Sequence, residues 1–152
     1  MSIISIRDLT TENFYKCINL RLSEEQEKQI VSNVYSIAES KVNPCYTPYI
    51  IYLGEEVIGF VMTDYDPSLD DENKYWVPRL MIDSRFQGKG YGKEAMKIII
   101  DRLRLKEDCK YIRLSTEPTN HQALKFYESI GFKNTGKLLE ESEYILEYRV
   151  DQ

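Results

Sequence analysis

A single histidine, His121, in 152 residues leaves no scope for a reaction that needs two imidazole ligands or a histidine-rich metal centre, and a metal-free site is expected. Cysteine is equally sparse. Cys17, Cys45 and Cys109 are odd in number, far apart and without a C-x-x-C pair, so neither a disulfide framework nor a zinc site is indicated, and the thiols read as buried or idle. No apolar run approaches the ~20 residues that cross a bilayer, and the first seven residues carry no basic region followed by a long apolar one. A cytoplasmic chain with no membrane partner is therefore expected. A basic excess is also missing: 25 acids against 20 bases leave a formal net charge of −5, which disfavours nucleic acid and accommodates a cationic partner. Repeats and low-complexity linkers are absent. With 42% hydrophobic and 30% charged residues, the chain reads as one folded domain over 1–152, in which one site must do everything.

The pattern of elements is α/β. Ile3, Ile4 and Ile6 suggest a first strand, after which Thr11 can cap a helix carrying Phe14, Cys17, Ile18 and Leu22. Ser23-Glu24-Glu25-Gln26 reads as a capping box opening a second helix, with Ile30, Val31, Val34, Tyr35, Ile37 and Ala38 as its apolar stripe and Pro44 and Pro48 as its stop. Tyr49 to Leu53 and Val57 to Tyr65 are β-rich runs joined by a turn at Gly54. An acidic loop, 66–74, leads to a strand from Trp76 to Asp83. A glycine turn and a helix from Lys93 to Glu107 come next. Tyr111 to Thr116 is then a strand, Asn120 to Ser129 a helix stopped by Gly131, and Phe132 opens a last pair of strands ending with Tyr144 to Val150. The count of about seven strands and four helices predicts a mixed, mostly antiparallel sheet with one central β-loop-α-β crossover.

The turn Gln87-Gly88-Lys89-Gly90-Tyr91-Gly92 carries the chemistry. Three alternating glycines leave backbone open to close approach just where a helix begins with unpaired N–H groups, which makes an anion site suited to a pyrophosphate. Lys89 and Lys93 add positive charge. The spacing is not the G-x-G-x-x-G of a dinucleotide fold, and Lys93 is followed by Glu94 rather than the hydroxyl residue of a P-loop. What remains is Q/R-x-x-G-x-G/A, met by Gln87, Gly90 and Gly92. Here the chain resembles the GCN5-related N-acetyltransferase (GNAT) family. A second stretch, Asn120 to Phe132, looks like that family's N-x-x-A-x-x-x-Y-x-x-x-G-F segment. Arg79 to Asp83 and the acidic loop before it are most similar to the small bacterial polyamine acetyltransferases.

The resemblance implies the GNAT fold and acetyl transfer from acetyl-CoA, a co-substrate, to an amine, with no metal. It implies that Leu80, Met81 and Ile82 offer backbone groups to the pantetheine arm, that Gln87, Gly88, Lys89, Gly90, Tyr91, Gly92 and Lys93 hold the pyrophosphate, and that Asn120 touches the cofactor arm or caps its helix. Tyr127 becomes the expected general acid, against the alternative of a helix aromatic facing the core. The acceptor expected is a small cationic amine, spermidine or spermine, with Asp71, Glu72 and Trp76 as candidate contacts. A protein or peptide amine, an aminoglycoside, and a non-catalytic acyl-CoA sensor stay open. Some relatives place a base in the strand before the cofactor loop; this chain has Pro78 there, and Asp71, Glu72 and Glu117 are substitutes, with His121 an ordinary exposed imidazole. Residues 144–150 could join a homodimer interface. Residues 85–113 hold nine bases and four acids, a local +5 where a polyphosphate should bind, while the rest of the chain carries −10.

Overall fold

The computed structural model describes residues 3–150. The elements are β1 (Ile4–Asp8), α1 (Phe14–Ile18), α2 (Glu24–Glu27), α3 (Asn33–Val42), β2 (Tyr46–Leu53), β3 (Glu56–Tyr65), β4 (Tyr75–Ile82), a 3₁₀ turn (Ser84–Phe86), α4 (Tyr91–Arg104), β5 (Tyr111–Thr116), α5 (His121–Ile130), β6 (Lys133–Leu139) and β7 (Glu143–Arg149). The seven strands form the expected mixed sheet, and the chain has the GNAT fold. It divides into two compact units, 1–63 with 79–99, and 64–78 with 100–152.

In the first unit the strand order is β1-β2-β3. β1 runs antiparallel to β2, with Ile6 opposite Ile51. From Val57 to Thr63, β3 is buried at every position, as a strand covered on both faces must be. Phe60 and Met62 pack with Ile50, Met81, Cys17 and Leu20 in one cluster. Ala95, Met96 and Ile99, at helical spacing, bury one face of α4.

The second unit holds the start of β4, then β5, β7 and β6. β4 pairs parallel with β5 at Trp76 and Arg113, and β5–β7 and β6–β7 are antiparallel. The acidic loop is tied down at both ends. Tyr65 and Tyr75 stack at 4.6 Å and both donate to Asp108, at 2.7 and 2.5 Å. Arg113, with a buried side chain, meets Glu147 at 2.7 Å and Glu72 at 3.1 Å, and donates to Asn73. These bonds hold Asp108 below the usual carboxylate range, and burial together with that carboxylate drives the Tyr75 phenol up.

Four local expectations are corrected. The first helix is capped at Asn13, not Thr11, and ends at Ile18, leaving Leu22 outside it. Asn13 spends its amide on Thr10 N–H, Asp8 C=O and Tyr52 O–H instead of on the helix. The expected second helix is two. Its capping box is present, Ser23 accepting from Gln26 N–H, but α2 stops after Glu27, and α3 restarts behind a second cap where Ser32 accepts from Tyr35 N–H. The supposed stripe has little to pack on: Ile30, Val31, Val34 and Tyr35 are all exposed. Pro48 lies inside β2, one residue before the stretch paired with β1, and does not end the helix. Splitting the helix brings the α-helices to five rather than four.

Candidate active site

β4 leaves the core at Met81 and Ile82, both buried, and the chain turns at Asp83. The buried Asp83 carboxylate accepts from Arg85 N–H at 3.0 Å, Arg85 Nε at 2.9 Å and Arg21 N–H at 2.9 Å. Burial alone would raise its pKa, but these donors outweigh it and hold the carboxyl below its ordinary value. Gln87 follows. Its amide donates to Ile82 C=O at 2.8 Å and to Gln26 Oε1 at 3.1 Å, and its own oxygen accepts from Gln26 Nε2 at 3.2 Å. The first residue of the motif is thus spent on holding the loop in shape, and the ligand-facing donors are left to the backbone.

That backbone is suited to an anion. Gly88 and Gly90 have φ of +77° and +85°, the left-handed region that a side chain strains, and the space where a Cβ would stand is open. The first helical bond of α4 joins Glu94 N–H to Gly90 C=O, so the N–H groups of Tyr91, Gly92 and Lys93 precede it without intrahelical partners. Each charge-assisted bond to a phosphate there contributes roughly 1.5–3 kcal/mol. Lys89 is exposed and Lys93 half-buried. The residues fit a pyrophosphate.

Beside the strand lies a cavity of about 230 Å³ whose lining includes Met81, Leu22, Ile30 and Asn33. Its charged lining residues are Arg21 and Glu27. The Asn33 amide donates to Cys17 C=O at 3.0 Å and sits 3.7 Å from the Met81 sulfur, which fixes one wall. None of this was legible in the sequence: Gln26 showed only as a capping residue, Asp83 as a strand end, and Glu27 as one more helix acid.

In the second unit, Asn120 caps α5 by accepting from Ala123 N–H at 3.1 Å. The helix closes at Gly131, φ +124°, where an added Cβ would meet the Tyr148 ring at 3.1 Å. Phe132 is buried, and its N–H returns to Tyr127 C=O at 3.1 Å. The Y-x-x-x-G-F spacing is therefore a helix stop that sets the Tyr127 ring edge-on against Phe132, 5.7 Å between centroids. Desolvation pushes the Tyr127 phenol up to about 12, so it keeps its proton at neutral pH. Asp71 is paired with Lys74 at 3.1 Å, and Glu72 is shared between Arg113 and Lys137. Trp76 is half-buried on β4, and Glu117 and His121 are exposed. Leu80, Met81, Ile82 and Gln87 to Lys93 belong to the first unit, and Asn120, Tyr127, Asp71, Glu72 and Trp76 to the second.

The strand, glycine turn and anion-ready helix that lead to the parallel β4–β5 pair belong to an N-acyltransferase, as the family match shows. The chain belongs to the acetyltransferase (GNAT) family, which it matches over residues 3–132. It is 33% identical over 138 residues to the spermine/spermidine N(1)-acetyltransferase of Bacillus subtilis (strain 168), covering 89% of this chain and 91% of that one. The solved structure of Vibrio cholerae spermidine N-acetyltransferase in complex with CoA and spermine superposes with a TM-score of 0.75 at 16% identity, covering 97% and 96% of the two chains. Ribosomal-protein-S5-alanine acetyltransferase from Vibrio fischeri gives 0.77 at 14% identity, covering 100% and 98%. Among the described residues, no helix is long and apolar enough to cross a membrane.

Proposed function

We propose that this acetyltransferase moves the acetyl group of acetyl-CoA to a primary amine of a small polycation, with spermidine and spermine as the acceptor class. The acetyl thioester is the acyl donor; the amine nitrogen, reacting as the neutral amine, forms the new C–N bond as the C–S bond breaks and releases one proton to solvent, which balances the proton taken up by the thiolate. Gly88 to Lys93 bind the pyrophosphate through backbone N–H groups and the two lysines, and the backbone of Leu80 to Ile82 receives the pantetheine arm as an added strand. Tyr127, which burial keeps protonated, holds the proton that the departing thiolate takes.

The observation that carries the acceptor assignment is the cavity beside Met81, whose lining combines apolar side chains such as Leu22 and Ile30 with Glu27. Methylenes of an alkylamine match its walls, and Glu27 offers an ion pair to an ammonium group. Asp71 and Glu72 would first have to give up Lys74 and Arg113. Arg21 in the same lining favours a second reading, a peptide amine whose own carbonyls or carboxylate would meet the guanidinium.

CoA release measured over a panel of spermidine, spermine, an aminoglycoside and an alanine-initiated peptide separates these. We expect the polyamines to show the highest kcat/KM, and Glu27→Gln to raise their KM about fivefold or more while leaving that for acetyl-CoA near the original, the loss of one charge-assisted contact. Preference for the peptide would replace the polyamine reading. No thiol release with any amine, in a protein that still binds CoA, would leave only an acyl-CoA-binding sensor.

A further inference from the structure

The segment between the pocket and the cofactor loop is held in an unusual way. Its ends are pinned: Arg21 N–H donates to buried Asp83, and the Asn33 amide donates to Cys17 C=O. Between them, α2 has four residues and buries none of them. So short a helix is not stable by itself, and its position depends on what holds it from outside. Among the described residues, the α2 side chains reach beyond the segment by hydrogen bonding only through Gln26, whose amide forms a closed pair with that of Gln87 at 3.1 and 3.2 Å.

The orientation of this pair is determined at both ends. The Ile82 carbonyl can only accept, so the Gln87 nitrogen must face it, and Ser23 N–H can only donate, so the Gln26 oxygen must face the cap. Flipping one amide would oppose oxygen to oxygen and N–H to N–H within the pair, and flipping both would turn like groups toward Ile82 C=O and Ser23 N–H. The two amides therefore form one rigid link. At one end is the turn that the proposed function assigns to acetyl-CoA; at the other, Leu22 and Glu27 flank Gln26 and line the cavity.

We infer that Gln26 is a positioning residue whose amide pair with Gln87 couples occupancy of the cofactor loop to the shape of the acceptor pocket. The inference rests on the reading that the loop binds CoA. A ligand that orders Gly88 to Lys93 fixes Gln87, Gln87 fixes α2, and α2 sets the Leu22 and Glu27 wall. Coupling of this kind is reciprocal, so an acceptor that fits the pocket also favours the loop conformation that holds the cofactor.

Amide hydrogen exchange tests this with CoA as the probe, and does not depend on which amine is the acceptor. In the wild-type chain, saturating CoA should slow exchange in residues 84–93 and, by about fivefold or more, in residues 22–33. In Gln26→Leu it should slow the loop alone, with the change in 22–33 under about twofold. If Gln26→Leu does not fold, Gln26→Ala, which also removes both bonds to Gln87, should lose the transmitted protection in the same way. Protection of the loop without the segment in the wild type, or transmitted protection that survives in a folded Gln26 variant, overturns the inference. No protection of the loop itself would instead overturn the cofactor assignment, and the coupling with it.

Discussion

Gly59→Ala puts a methyl group against the backbone of β4. A Cβ there would stand 2.6 Å from the Met81 carbonyl oxygen, 2.8 Å from Ile82 Cδ1 and 3.1 Å from Ile51 Cδ1. Carbon–oxygen contacts rarely close below about 3.3 Å, so the shortfall against Met81 is about 0.7 Å. The two isoleucine methyls can rotate aside; the carbonyl is backbone, and β4 must move with it. Overpacking of this kind costs about 1–3 kcal/mol. For a chain of this size, each kcal/mol lowers Tm by about 2–4 °C, so thermal unfolding should shift down by roughly 2–12 °C. The moved carbonyl lies in the strand assigned to the pantetheine arm, so KM for acetyl-CoA should rise as well. Gly54→Ala is the control: φ is +60° but nothing lies within 4 Å, so it should cost only the backbone strain of about 1–2 kcal/mol and leave KM alone. If Gly59→Ala melted within about 1 °C of the original chain with unchanged KM, the close approach of these strands would not be what demands glycine.

Tyr127→Phe should keep the ring packing on Phe132 and lower kcat about 10²-fold, the ordinary contribution of a general acid, with little change in Tm. Because the phenol is pushed up to about 12, the wild-type rate should show no loss from deprotonation of Tyr127 below about pH 10; an alkaline limb centred near pH 8 that vanished in the Phe variant would contradict this assignment. Asp83→Asn should cost about 1–3 kcal/mol at pH 7 by removing the charge and turning an NH2 group toward either the Arg21 or the Arg85 donors. The folded carboxyl titrates below its unfolded value of about 3.9, so its contribution is complete above that pH and is lost as pH falls through the lower folded value. The Tm difference between wild type and Asp83→Asn should therefore narrow below about pH 4, and a difference that stayed constant down to pH 2 would show that the charge plays no part.

Much of the fold was legible because it rests on neighbours in sequence. The capping box at Ser23, the cap at Asn120, the helix stop at Gly131 and the glycine turn all bring together groups within a few residues, and each demands a particular residue type. Periodicity misled where packing failed to support it. The stripe from Ile30 to Ala38 reads as one helix, but Ile30, Val31, Val34 and Tyr35 are exposed, and Ser32 supplies a new cap in the middle of the stretch. The acidic loop looked like free carboxylates because the partners of Glu72, Arg113 and Lys137, lie on strands far away in the chain.

By itself, the sequence determined the family, the anion-binding turn and the local geometry of α5, since spacing and residue type suffice for them. Only the tertiary structure decided what Asp83 and Gln26 meet. Asp83 meets Arg21 N–H across 62 residues, and Gln26 meets Gln87 across 61. An Asp or Gln in a sequence declares what it can donate or accept but not which distant group will stand within 3 Å of it. That is settled when burial of Phe60, Met62 and Met81 brings their strands together. The net charge follows the same rule: its sum of −5 and the basic stretch at 85–113 were visible at once, and the pairing of Asp71 with Lys74 and of Glu72 with Arg113 became visible only in the fold.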